Sequence, residues 1–187
     1  HGTSRRQRQM CIRDRARYNA YFIANEEIKN IEEDYEKNLN QGFDSLIDLT
    51  YKIDTNQVSS IQERTQNSIE KLSILIQRQT TSKYVYPSYA LIGKSRLLNL
   101  NLKEAITTLK YVNSKSNNNE ANTMALVYLL RAYTENKDYN SAQEVDKFLT
   151  NREMNENLKI EYYKNSYNLF KILNDDEKIL SILEKLD

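Results

Sequence analysis

The stretch Tyr-Ala-Leu-Ile-Gly-Lys-Ser-Arg-Leu-Leu-Asn-Leu-Asn-Leu-Lys-Glu-Ala-Ile-Thr-Thr-Leu, residues 89–109, decides the fold. Its apolar residues recur in steps of three and four, which is helical spacing rather than the alternation of a strand. Tyr89, Ile92 and Gly93 fall on a first helix, and Ala105 and Leu109 on a second. Small residues stand where two helices must cross closely, and bulky ones fill the surrounding holes. The chain then repeats. Asn101-Leu102-Lys103-Glu104-Ala105 and Asp138-Tyr139-Asn140-Ser141-Ala142 each place a small residue three positions after an apolar one, with Ala142 following Ala105 by 37. Asp175-Asp176-Glu177-Lys178-Ile179 fills the third slot, another 37 on. A period in this range with two helices per unit is the signature of a helical solenoid, whose hairpins bury their faces only against their neighbours.

The expected fold class is therefore all-α: a right-handed superhelical solenoid of antiparallel helix hairpins, tetratricopeptide-like. The hairpins span residues 83–115, 120–150 and 155–187. In the first, Tyr89, Ile92, Gly93, Ala105 and Leu109 match the residue types of the tetratricopeptide repeat, with Tyr in place of its Trp. In the second, Leu126, Leu129, Tyr133 and Ala142 match, but Leu130 stands at the small position and Asp146 at the aromatic one. Tyr163, Tyr167 and Phe170 give the third only a helical-hairpin pattern. Upstream, residues 16–80 read as further helices. Ile28, Ile31, Tyr35 and Leu39 make one stripe, and Phe43, Leu46, Ile47, Leu49 and Ile53 resume it after Gly42. Asp54 to Gln57 is a polar break, and Ile61, Ile69, Leu72, Leu75 and Ile76 mark the next helix. Ser82 or a near neighbour is expected to cap the first helix of the repeat.

Composition excludes several classes. One Pro and three Gly in 187 residues leave too little turn punctuation for a chain of hairpin-linked strands or for glycine-lined phosphate loops. A charged fraction of 28% and a mean hydropathy of −0.78 describe a polar chain, and no apolar run approaches the roughly 18 residues of a membrane-spanning helix. With one His and one Cys there is neither a His/Cys zinc site nor an intrachain disulfide. No cofactor is expected.

Residues 1–15 carry five Arg against Asp14, which is +4, while the other 172 residues sum to −3. Met10-Cys11-Ile12-Arg13-Asp14-Arg15 resembles the conceptual translation of a sequencing-library adapter. The segment is accordingly read as non-native and disordered, and the sole His and Cys go with it. Cys11 is not a lipidation site either, since Arg8-Gln9-Met10 precede it where small and aliphatic residues are needed.

Immediately after this segment, Ala16-Arg17-Tyr18-Asn19-Ala20-Tyr21-Phe22-Ile23-Ala24-Asn25-Glu26 resembles the opening of a Bacteroidetes tetratricopeptide lipoprotein family of type IX secretion and gliding motility (SprE/PorW type). Ser82 to Ser95, Leu102 to Val112 and Ala125 to Tyr133 resemble its later helices in the same order and spacing. Two departures stand out: Ala20 replaces a glycine, and Tyr86 and Pro87 replace paired acids. The resemblance implies a non-enzymatic interaction scaffold, a fragment of a longer chain, held in the periplasm at the outer membrane by a lipid anchor that this sequence lacks. Its implied partners are proteins of the secretion and motility machinery, with no nucleic acid. The alternative is a generic tetratricopeptide adaptor for a peptide or protein unrelated to secretion.

Candidate contact residues follow from side-chain chemistry. Tyr84 and Tyr86 offer aromatic bodies with polar tips. Lys94, Arg96 and Arg131 lie on first helices, where they would clamp an acidic peptide or remain in salt bridges. The acidic clusters Glu26-Glu27, Glu32-Glu33-Asp34 and Asp175-Asp176-Glu177 read as solvated faces or helix starts, because adjacent acids on a helix diverge by about 100°. Neither a nucleophile set nor a metal cluster is expected.

Overall fold

The computed structural model describes residues 3–37, 49–51 and 55–186. All regular elements among them are helices, as expected: α1 (Thr3–Glu36), α2 (Thr55–Arg78), α3 (Val85–Leu98), α4 (Leu102–Lys115), α5 (Asn119–Glu135), α6 (Tyr139–Leu149), α7 (Glu156–Leu173) and α8 (Asp176–Leu183). Helices that are neighbours in sequence pack together. Odd-numbered helices also touch one another, α1 with α3, α3 with α5 and α5 with α7, whereas no even-numbered pair approaches among the described residues. This makes an odd row backed by an even row. Tyr21 meets Tyr84 at the start of α3, and the Tyr35 hydroxyl donates to the Leu98 carbonyl at its end, so α1 and α3 are parallel. α3 and α5 are buried nearly all round, which explains why neither shows a narrow apolar stripe.

The period of 37 is written into the backbone. Leu100, Lys137 and Asn174 end α3, α5 and α7 in the left-handed region, with φ of 58°, 61° and 55°. Behind each, an N–H reaches back to close the turn: Asn101 donates to the Arg96 carbonyl at 2.9 Å, Asp138 to Tyr133 at 2.9 Å and Asp175 to Phe170 at 3.0 Å. Those same three residues begin the even helices, and the Asp138 and Asp175 carboxylates cap α6 and α8 by accepting from the Ser141 and Lys178 N–H groups. Asn118 and Asn155, also 37 apart, cap α5 and α7 in the same way.

None of the three left-handed residues is glycine, although that conformation costs an L residue about 1–2 kcal/mol. Lys137 is exposed, so Lys137→Gly is expected to stabilise the fold by about 1 kcal/mol, with a smaller gain for Asn174→Gly because Asn tolerates the region. Urea midpoints of the two variants check this. A Lys137→Gly midpoint below that of the parent chain would contradict the turn assignment.

Ala105 and Ala142 are fully buried at the odd–even crossings. Gly93 is where α3 and α4 come closest: a Cβ there would lie 2.5 Å from Leu109 Cδ2. One period on, the sizes are exchanged, with buried Leu130 in the place of Gly93 and buried Asp146 in the place of Leu109. The misfit of the second hairpin to the repeat pattern is therefore a redistribution of volume. Asp146 is satisfied by the Ser166 hydroxyl of α7, which donates to it at 2.6 Å.

Three expectations need amendment. The backbone of residues 3–15 is helical and continuous with α1, where disorder was expected; no Pro or Gly lies between Thr3 and Gly42 to stop a helix that Arg, Gln, Met and Ala favour. Helical propensity is indifferent to the origin of a segment. Thr55 to Gln57 form the first turn of α2 rather than a break, since polar residues suit a helix start. The Ser82 hydroxyl accepts from the Tyr84 N–H at 3.3 Å, shaping the turn before α3 without capping the helix itself. Leu39, Gly42, Phe43, Leu46, Ile47, Ile53 and Asp54 lie outside the described residues.

Candidate binding groove

The odd row faces a groove. α1 forms one wall, α7 the other, and α3 and α5 the floor; α1 and α7 meet only through long side chains, their backbones never approaching. Lys94 sits at the centre of this face. It is 6% exposed, and its ammonium lies 2.8 Å from Glu32 of α1 and 2.7 Å from Glu161 of α7, with the Tyr128 ring 4.7 Å away. One side chain from the floor thus ties both walls. At the outer end of the walls, Lys164 of α7 reaches Glu36 of α1 at 3.0 Å.

Arg131 follows Lys94 by 37, so it occupies the same register on α5, and it too is buried. Its guanidinium lies 4.1 Å from the Tyr51 ring centre and donates to the Tyr51 carbonyl at 3.2 Å. Tyr51 stacks on Tyr35 with centroids 5.1 Å apart, and its hydroxyl donates to Glu32 at 2.9 Å. Lys94 and Arg131 against Glu32 and Glu161 sum to zero, which is what makes so much buried charge tolerable.

Burial works against the charge on Lys94, but Glu161 and Glu32 outweigh it and hold the ammonium well above its usual value. Burial pushes the Glu161 carboxyl up, with Lys94 pulling the other way. Burial also raises the tyrosines of this face: Tyr21 to about 12, Tyr51 and Tyr128 well above the phenolic range. A group whose folded form holds its proton more tightly than the unfolded form stabilises the fold below its unfolded value and loses that contribution as pH rises. The window here opens near pH 10 for tyrosine and slightly higher for lysine. Stability is expected to fall above pH 10 by up to about 4 kcal/mol per pH unit, from Tyr51, Tyr128 and Lys94 acting together at about 1.4 kcal/mol each. Urea midpoints between pH 9 and 11 check this, and a flat profile would contradict it.

The expected contact residues do not act together. Lys94 and Arg131 share the inner face but are held by groups of the same chain, so they form no ready clamp for an outside carboxylate. Arg96, two residues after Lys94, points to the other side of α3, where it meets Glu104 at 3.4 Å and donates to the Thr108 hydroxyl of α4. Tyr84 is half-buried at the groove mouth against Tyr21 and Phe22, at 5.0 Å and 6.1 Å. Tyr86 is half-buried against the core cluster. Among the repeat residues, Ile92, Leu126 and Leu129 are buried, while Tyr89 and Tyr133 are half-buried, Tyr89 edge-on to Tyr111 at 5.2 Å.

The acidic clusters also differ from a plain solvated face. Glu32 enters the buried network, while Glu27 and Asp34 both pair with Arg64 of α2. The Arg64 hydrogen bond, aided by Lys37, holds Asp34 below the usual carboxylate range. Sequence reading missed Glu32 and Glu161 as partners. The 37-residue spacing of Lys94 and Arg131 was an available sign that two cations share one face, but nothing local identified the acids opposite them. Among the described residues, no three His, Cys, Asp or Glu side chains are grouped to hold a metal, and no helix is long and apolar enough to cross a membrane.

No protein-family model, curated protein or solved structure matches this chain.

Proposed function

We propose that this chain is a non-enzymatic protein–protein interaction scaffold, built as a tetratricopeptide-like right-handed solenoid whose odd helices present the contact face. The observation that carries this reading is the recurrence of one hairpin at 37 residues, in left-handed turns, caps and buried alanines, with a row of odd helices lining a groove. Such arrays characteristically use the exposed side of their first helices for binding. The ion pairs of the groove hold its walls together, which suits a scaffold.

The more specific proposal is service in the type IX secretion and gliding machinery, at the periplasmic side of the outer membrane through a lipid anchor. It rests on the resemblance of residues 16–26 and of the helices downstream. On the native gene, a signal peptide ending in a lipidated cysteine is expected, and its full-length product should retrieve a secretion or motility component from a Bacteroidetes envelope. A plain cytoplasmic start, or retrieval of none, would overturn the secretion assignment and favour a general peptide adaptor.

A further inference from the structure

The even row carries a second pattern of the same period on its outer side. Ser68, Ala105 and Ala142 are buried at one register of α2, α4 and α6, and Leu75, Val112 and Leu149 at another, so α2 keeps the 37-residue spacing as well. One residue before the second set, turned from the core, stand Ile74, Tyr111 and Phe148, which remain 47%, 43% and 61% exposed. Four residues after each comes a cation, Arg78, Lys115 and Arg152, and the Arg152 guanidinium lies 5.3 Å from the Phe148 ring. Single exposed apolar residues are ordinary on a protein surface. Three large ones in one register, each with a cation a turn away, make a row.

The charge around this row is mostly of one sign. Within four residues of its three members there are six cations, Lys71, Arg78, Lys110, Lys115, Lys147 and Arg152. Against them stand Glu70 and Glu144, while Asp146 turns inward to Ser166. Glu144 is taken by Lys147 at 2.8 Å. Among the described residues no carboxylate pairs with Lys71, Arg78, Lys110 or Lys115. Residues 16–187 together sum to −3, so the concentration of cations is local. The helix dipole accounts for a cation at the end of a helix, as with Arg78 and Lys115, but not for Lys71 and Lys110, nor for the apolar side chain beside each.

We infer that this row is a membrane-facing edge, on which Ile74, Tyr111 and Phe148 enter the headgroup region of an anionic lipid surface while the flanking cations meet its phosphates. Apolar side chains interleaved with Lys and Arg are what such a surface retains. A lipid surface also accepts separate insertion points, one per helix, whereas a protein partner needs a continuous complementary surface. The edge belongs to the even row, away from the groove, and stands independently of the scaffold reading.

The test is co-sedimentation of the full chain at low salt with phosphatidylcholine vesicles and with vesicles containing about one-third phosphatidylglycerol. Binding is expected to the anionic vesicles only, falling as salt rises. Lys110→Glu with Lys115→Glu is expected to weaken it by more than about tenfold, and Tyr111→Ser with Phe148→Ser by about tenfold. All four positions are exposed, and unchanged melting of the charge-reversed chain is the folding control. The basic segment 1–15 is the same in every protein compared, so binding that survives both double variants would belong to that segment and overturn the assignment. Absence of binding to the anionic vesicles, or equal binding to the neutral ones, would overturn it as well. Loss in the charge-reversed chain with none in the serine variant would also contradict it, since a contact made by charge alone inserts nothing and favours an acidic protein surface instead.

Discussion

Lys94→Met is expected to destabilise the fold by about 2–3 kcal/mol, because it leaves the half-buried carboxylates of Glu32 and Glu161 facing each other across the groove with no cation between them. That is a large part of the roughly 5–15 kcal/mol that holds an ordinary domain together. The loss should be electrostatic rather than a matter of packing, since Met nearly matches the lysine stem in volume. Lys94→Met combined with Glu161→Gln removes one charge of each sign and leaves Glu32 balanced by Arg131. The double variant should therefore recover more than half of what the single variant loses. Urea denaturation of the two proteins decides it. A single variant within about 1 kcal/mol of the parent chain would mean that the trio is solvated in solution and does not tie the walls.

The second large effect lies at the α3–α4 crossing. Leu109→Ala empties a fully buried position and is expected to cost about 2–5 kcal/mol. Gly93→Leu pushes a side chain into the space that Leu109 already fills and should cost at least about 1–3 kcal/mol. The pair together should cost less than the sum by about 1 kcal/mol or more, since each change makes room for or fills the other. The second hairpin already carries the exchanged arrangement, Leu130 with Asp146. Strict additivity in the cycle would show that positions 93 and 109 are independent and that the repeat register has been misread.

The sequence made the helices legible because its apolar residues keep a three-to-four step and its polar breaks fall at the turns. The period of 37 was legible from Ala105 and Ala142, and the structure extends it to residues no propensity scale would select, such as Leu100 and Lys137 in left-handed turns. Those turns were hidden because their conformation is imposed by the hydrogen bonds that close them, not by a glycine. The binding face was less legible. A lysine and an arginine on first helices read equally well as a clamp or as salt bridges, and only the packing of α1 and α7 against one floor shows that Glu32 and Glu161 reach Lys94 first. The mouth cluster joins Tyr21 to Tyr84 across the length of α1 and α2, a contact that no local pattern records.

The groove exists only if α1 and α7 face each other across the odd row with Lys94 between them. The direct measurement is a dipolar electron-resonance distance between spin labels at Glu33→Cys on α1 and Ile160→Cys on α7, with Cys11→Ser to remove the one other thiol of the chain. Both labelled side chains are exposed along the groove. A single short, narrow distance distribution is expected, broadening when Lys94→Met is added. A long or broad distribution in the parent chain, or one that Lys94→Met leaves untouched, would contradict it.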